Sequence, residues 1–208
     1  MLKNALRMTL SGIAAGLLIT VGGTVFLAVE NRYVGAVLFS VALLCICMKG
    51  YALFTGKVGF LPEDHGKEAV ETLMLALLGN AVATVLGGWL IRAALPNLGE
   101  RALALCGGKL TQPWWGTLVR GGFCGVLMYL AVSTWRDSKT PLGILFCIPV
   151  FILSGFEHSI ADIFYFAASG MVSLQAFAFL WLVILGNALG AVILPLLTGA
   201  ARKEGGHA

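Results

Sequence analysis

Charge is scarce in this sequence. Asp, Glu, Lys and Arg make up 12% of its 208 residues while 59% are apolar, and the mean hydropathy is +0.91. That balance excludes a soluble globular domain and implies an integral membrane protein. Six windows, about 8–29, 34–55, 72–95, 114–134, 141–168 and 171–199, each supply the ~20 apolar residues that cross a bilayer core of roughly 30 Å. With their short loops they use nearly the whole chain, so no stretch is left for a soluble domain. The five cysteines, Cys45, Cys47, Cys106, Cys124 and Cys147, include no C-x-x-C pair, and all but Cys106 fall inside the windows. They read as small packing residues, with neither a disulfide frame nor a zinc site implied. The start "MLKNALRMTL" has no small-residue cleavage site after its apolar run, so it is read as the beginning of the first span.

Six spans place both termini on one side. With that side cytoplasmic, the inner segments hold Lys3, Arg7, Lys57, Lys67, Arg136, Lys139, Arg202 and Lys203, and the outer loops hold Arg32, Arg92, Arg101 and Lys109. The excess inside predicts a multi-pass protein of the cell (inner) plasma membrane with both termini cytoplasmic. Cys106 then lies in an outer loop, open to an impermeant maleimide, while Lys49 and Arg120 fall within spans.

The chain also partly repeats itself. "LMLALLGNAVATVLGG" in the third window and "FLWLVILGNALGAVILP" in the sixth share a Leu-Gly-Asn followed by small residues, which pairs Gly79-Asn80 with Gly186-Asn187. In the windows before them, "KGYALFTGKVG" and "LSGFEHSIADI" are glycine-flanked polar interruptions of apolar segments. Three spans per half would be a 3+3 inverted repeat, in which interrupted helices meet near the midplane and line a cavity. Leu-Gly-Asn recurring by composition alone, in a chain with 27 glycines, is the alternative.

"GFEHSIADIF", "ALFT", the two "LGN" segments and "RGGFCGVLMYLAV" together resemble the formate/nitrite transporter family of pentameric anion channels, from about Gly12 to Ile193. The resemblance implies an all-α membrane protein with an aquaporin-like protomer. It would be a single transmembrane channel domain over 1–208, with six transmembrane helices in two inverted repeats (about 8–95 and 114–199) and broken second and fifth helices. It implies a homopentamer in a lipid bilayer that carries a small anion and involves no cofactor, metal or nucleic acid. By position it implies a pore histidine at His158 faced by Thr55, an outer constriction of Phe39 and Phe151, and an inner one of Leu43, Leu53 and Phe54. Lys109 is the implied anion-attracting lysine of the outer side.

The residues themselves suit that map. Phe39 and Leu43 share a helix face, and Phe151 precedes His158 by seven residues, about two turns. Apolar rings on either side of one titratable group make a dry channel that bare ions cross poorly. An anion drawn by Lys109, Arg92 and Arg101 would meet walls that penalise its charge, and protonation removes the penalty. The expected function is passage of small weak-acid monovalent anions with proton coupling through His158. Formate leads and nitrite is close behind. Hydrosulfide and small monocarboxylates such as acetate or lactate are alternatives on the same fold. An intramembrane hydrolase, with a metal on Glu157, His158 and Asp162, is the alternative from another class. The remaining histidines, His65 and His207, fall in a cytoplasmic loop and at the C-terminus, so no second intramembrane imidazole supports it.

Structural support is expected from Asn80, Asn187, Glu157 and Asp162: Glu157 by accepting backbone N–H groups freed at a helix break, Asp162 as a helix-packing contact. Departures from the family pattern are Ala52 in place of an acidic residue, Gly125 in place of asparagine, and the added Lys49. A lysine at membrane depth needs a partner or water. The favoured expectation pairs Lys49 with Glu157 or Asp162; the other turns it toward the central cavity at Gly50. With about seven residues before the first window, the helix that precedes the first span in many relatives is expected to be nearly absent, and with it any pH gate built on that helix. Thr55 stands 25 residues before Asn80 whereas His158 stands 29 before Asn187, which predicts that the half-helix after Thr55 is about one turn short.

Overall fold

The computed structural model describes residues 2–64 and 66–205, excepting the side chains of Leu2 and residues 200–205. His65 and His207 lie outside the described residues, as do the side chains of Arg202 and Lys203. The described chain is all helical: α1 (Leu2–Ala28), α2 (Arg32–Lys49), α3 (Phe54–Lys57) continued by a 3-10 turn (Val58–Phe60), α4 (Lys67–Ala94), α5 (Pro96–Leu110), α6 (Trp114–Ser138), α7 (Leu142–Leu153), α8 (Ser159–Ser169) and α9 (Leu174–Gly205). Five of these, α1, α2, α4, α6 and α9, are long and apolar enough to cross a membrane. The fifth window, 141–168, is occupied by two shorter apolar helices, α7 and α8. Large apolar side chains such as Leu90, Phe146 and Leu197 remain exposed on the outside of the bundle, as helices surrounded by lipid or by other subunits require.

Glycine decides where α2 and α7 stop. Gly50 and Gly155 both take positive φ, 69° and 71°, a left-handed conformation that costs glycine nothing. Each closes the same cap. Gly50 N–H donates to Cys47 C=O and Tyr51 N–H to Ile46 C=O, at 3.3 and 3.0 Å; Gly155 N–H donates to Ile152 C=O and Phe156 N–H to Phe151 C=O, at 3.2 and 2.9 Å. These are Schellman closures, which satisfy helix-end carbonyls and reverse the chain. Both segments then run extended back into the protein, to Leu53 (φ −97°, ψ 126°) and His158 (φ −110°, ψ 110°), before α3 and α8 begin.

Two fully buried asparagines hold the reversed segments. Asn80 Oδ1 accepts from Phe54 N–H at 2.8 Å, and its Nδ2 donates to Ala52 C=O and Gly12 C=O at 2.9 and 2.8 Å. Asn187 Oδ1 accepts from Ser159 N–H at 2.8 Å, and its Nδ2 donates to Glu157 C=O and Gly121 C=O at 2.8 and 2.9 Å. Each amide thus joins one interrupted segment to the helices on either side. The approach of those helices depends on missing side chains: a Cβ on Gly16 would lie 2.7 Å from Asn80 C=O, and one on Gly125 would overlap Asn187 C=O.

Pairing by these bonds corrects the register read from sequence. Phe54 stands 26 residues before Asn80, and Ser159 stands 28 before Asn187. Leu53, not Thr55, therefore occupies the place that His158 has in the second half. The half-helix at 54–60 is four residues shorter than the one at 159–169, about one turn, and its following loop is longer by two. A second correction concerns residues 96–110, expected to be an outer loop. They form α5, whose Leu98, Ala102 and Cys106 recur every four residues and are buried. Too short and too polar for a span, α5 left no mark in a window of membrane length.

Asn187→Ala leaves Ser159 N–H, Gly121 C=O and Glu157 C=O short of a partner, at about 1–3 kcal/mol for each buried group. The expected outcome, for this variant and for Asn80→Ala, is a large drop in thermal unfolding temperature in detergent. An unchanged midpoint would show that the amides do not hold the interruptions.

Candidate functional site

Two cavities approach each other from opposite ends of the bundle. One, of about 360 Å3, opens between α5, the start of α2 and the α7–α8 reversal, and reaches Phe39, Phe151 and His158. The other, of about 710 Å3, lies by the α2–α3 reversal and the 61–66 loop, and reaches Leu43 and Leu53. The layer between them is closed and apolar: Phe39, Leu43, Leu53, Phe54 and Phe151 are all buried. Phe39 meets Phe151 edge-on at 6.3 Å and 87°, and Phe151 stacks on the His158 ring at 5.6 Å and 19°. Phe151 thus packs on the imidazole and Phe39 on Phe151, while Leu43 and Leu53 line the other cavity.

His158 is positioned on both ring nitrogens. As the residue capping α8, its Nδ1 accepts from Ala161 N–H at 3.1 Å. An accepting Nδ1 carries no proton, so the neutral ring has its proton on Nε2. Nε2 lies 2.9 Å from Thr55 Oγ1, which is brought there by α3 and is itself buried. The ring therefore donates to Thr55, whose hydroxyl hydrogen is free to turn elsewhere. Protonating Nδ1 would break the cap on Ala161. Both ring nitrogens are engaged in this way, and among the described residues no cluster of three or more His, Cys, Asp or Glu side chains is placed to hold a metal ion.

The two carboxylates instead face a lysine. Lys109, on the last turn of α5, forms an ion pair with Glu157 and a second, at 2.9 Å, with Asp162. Gln112 Nε2 donates to the other Glu157 oxygen at 2.7 Å. Glu157 was expected to accept backbone N–H groups. It does not, because the freed backbone is already met by Asn187 and because Glu157 N–H donates to Arg120 C=O. Asp162, expected as a packing contact between helices, stands in the cavity wall. Lys109 was expected in an open vestibule, but its side chain is only 13% exposed and its charge is matched twice over.

Three further placements differ from the sequence reading. Lys49 pairs with neither Glu157 nor Asp162, both of which belong to Lys109. It is exposed at the end of α2 beside Gly50, and eighteen residues of helix, about 27 Å, put that end near the far surface of a bilayer rather than at its centre. Cys106 is fully buried under α8 and Tyr165, closed to a maleimide. Arg92 and Arg101 are spent on backbone, donating to Ser169 C=O and to the Leu27 and Ala28 carbonyls. Gln112, Arg32 and Arg120 all line the first cavity and were missed. No local pattern flags them, since each is brought to the cavity by contacts distant in the chain.

A model of the formate/nitrite transporter family matches residues 1–200. The nitrite transporter NirC of Escherichia coli (strain K12) is 29% identical over 182 residues, 80% of this chain and 67% of that protein. The formate channel FocA of Haemophilus influenzae (strain ATCC 51907 / DSM 11121 / KW20 / Rd) is 26% identical over 191 residues, 78% of this chain and 66% of that protein. The chain thus spans about two thirds of the length of these relatives. Among solved structures, a pentameric formate channel with formate bound superposes with a TM-score of 0.77 at 21% identity, covering 97% of this chain and 98% of that one. An ion channel of the same family gives 0.72 at 25% identity, covering 93% and 87%.

Removing Lys109 strands two buried carboxylates, a loss of about 3–5 kcal/mol for breaking such a pair. Lys109→Met should therefore lower the thermal stability sharply, with partial recovery in Lys109→Met/Asp162→Asn. By contrast Lys49→Met, at an exposed site with no ion pair among the described residues, should shift the unfolding midpoint little. Equal losses for the two lysine variants would contradict the placement of both.

Proposed function

This chain belongs to the formate/nitrite transporter family, and on that premise we propose that it conducts small monovalent weak-acid anions, formate or nitrite, between its two cavities with a proton. Its relatives are transporters and channels, and the chain is a membrane transport protein, not an enzyme. What carries the reading is His158: one ionisable ring, hydrogen-bonded to Thr55, inside an apolar layer with a cavity on each side. An anion entering that layer loses its hydration and gains nothing comparable from phenylalanine and leucine. The same species entering as a neutral acid loses far less. The Nε2–H and the Thr55 hydroxyl are the layer's hydrogen-bonding groups; a proton passes to the substrate there as Nε2 releases its hydrogen while Nδ1 takes one up and gives up its cap on Ala161, and the reverse exchange resets the ring.

Several finer features belong to the same proposal. The halves 8–95 and 114–199 form a 3+3 inverted repeat with its second and fifth spans broken at Gly50 and Gly155. The paired Schellman caps and paired asparagine bridges support this. Phe39 and Phe151 narrow the path on the α5 side, and Leu43, Leu53 and Phe54 on the other. The α5 side faces outward, both termini lie in the cytoplasm of a cell with this protein in its inner (plasma) membrane, and five protomers assemble. The excess of basic residues on the opposite side supports the orientation, and the pentameric structural neighbour supports the assembly.

Flux of a weak acid carried with its proton rises as the source side is acidified, because the protonated fraction grows. In liposomes, wild-type formate or nitrite uptake should show that rise. His158→Phe should abolish flux. His158→Asn should leave a polar pore that passes the anion with a flattened pH profile, while both variants still assemble. A wild-type pH profile retained in His158→Asn would remove the imidazole from proton transfer.

A further inference from the structure

Two arginines stand at the mouth of the α5-side cavity and neither is paired with a carboxylate among the described residues. Arg32 opens α2, and its Nη2 donates to Ile152 C=O at 3.0 Å and Leu153 C=O at 3.4 Å; Arg120, on α6, donates from Nη1 to Gly155 C=O at 3.4 Å. Both therefore grip the C-terminal end of α7, where the chain turns inward. Both also line the cavity that ends at Phe39, Phe151 and His158, and both are exposed.

Capping alone explains part of this. The last carbonyls of a helix lack intrahelical partners and carry partial negative charge, so a guanidinium there is favourable. Capping does not explain why two cations are used, one of them at the N-terminus of α2, where a positive charge opposes the local dipole. The charges inside the cavity supply the second reason. Lys109, Glu157 and Asp162 together carry a formal −1, and are at best neutral if one carboxylate holds a proton. A cavity lined by that cluster alone would turn an anion away, despite its lysine. Arg32 and Arg120 add two positive charges and bring the formal sum to +1. Each guanidinium has five N–H donors in a planar fork that fits a pair of oxygens, and the carbonyl contacts occupy only one nitrogen of each.

We infer that Arg32 and Arg120 form a capture site for planar oxyanions, carboxylate or nitrite, at the entrance on the α5 side, and that they, not Lys109, make this cavity attractive to the anion. The inference rests on the proposed transport function and names the residues that concentrate its substrate. Arg32 and Arg120 hold the anion in contact with water, above the Phe39–Phe151 pair, before it meets the apolar layer. The site also links capture to shape, because the same guanidiniums hold the end of α7 from which Phe151 projects.

The test measures formate and nitrite flux in intact cells and in inverted vesicles, for wild type, Arg32→Gln, Arg120→Gln, the double Gln variant and the double Lys variant. In the preparation whose source side is the α5 face, the double Gln variant should raise the half-saturating concentration several-fold. It should also lose the wild type's weakening by an impermeant salt, since screening acts on exposed charges at about 10 Å and beyond at 0.1 M. The single variants should fall between. The double Lys variant keeps the charge and should keep the salt dependence. Effects confined to one preparation support capture at one mouth. Folded Gln variants with wild-type half-saturation and salt dependence in both preparations would overturn the inference and leave the arginines as caps of α7. A wild type that carries neither anion would instead defeat the transport function on which the inference rests.

Discussion

Two side-chain amides carry the architecture. A helix that stops, reverses and restarts inside an apolar bundle frees backbone N–H and C=O groups where water does not reach, and such groups are costly unless paired. Asn80 and Asn187 each offer one oxygen and one NH2 group, and each makes three hydrogen bonds to backbone: to an N–H that opens a half-helix, a C=O of the reversed segment and a C=O of a neighbouring long helix. No charged side chain would do this without bringing its own desolvation penalty, and no hydroxyl has two donors. Because the amides fix Phe54 and Ser159, they also fix Thr55 and His158, and the 2.9 Å contact between those two follows from the frame.

The space for this arrangement comes from side chains that are missing. Gly16 and Gly125 let α1 and α6 approach the helices that carry the asparagines, close enough for the amides to reach across. Gly50 and Gly155 supply the left-handed turns that send the chain inward. What remains in the centre is apolar, and the ionisable groups are sorted around it. His158 is inside the layer, its Nδ1 held by the Ala161 N–H that it caps. Glu157, next to it in sequence, serves two structures at once: its carbonyl belongs to Asn187 and its carboxylate to Lys109 and Gln112. That double use ties the position of the histidine to the charge balance of the cavity above it.

α5 makes that charge balance possible. It lies across the end of the bundle against α8, buries Cys106 and Leu98, and delivers Lys109 from its last turn to both carboxylates. The lysine is thereby a structural counter-ion to both carboxylates, and on the capture site inferred above the attraction of anions would pass to the more exposed arginines at the rim. On the proposed capture site, a formally negative cluster deep in the cavity and positive charge at its mouth would draw an anion to the entrance without holding it beside the histidine.

The sequence by itself determined the membrane class, the long apolar helices and the glycines at which α2 and α7 stop. Length of apolar runs, glycines and short motifs are local properties, and the lipid environment enforces them along the chain. Leu53, Phe54, Thr55 and His158 were legible because they sit within the Ala52–Thr55 and Gly155–Phe164 segments, whereas Phe39, Leu43 and Phe151 were singled out only by the family resemblance. The tertiary structure alone decided who pairs with whom. Lys109 is 48 residues from Glu157, and Arg32 is 120 from the carbonyl it caps. No periodicity connects residues so far apart. The same reason removed Lys49 from its expected partners, hid Cys106, folded residues 96–110 into a helix and moved the register of the first half by two residues. Ion pairs and cavities are set by which helices touch, and in this chain that is governed by two asparagines reaching across glycines.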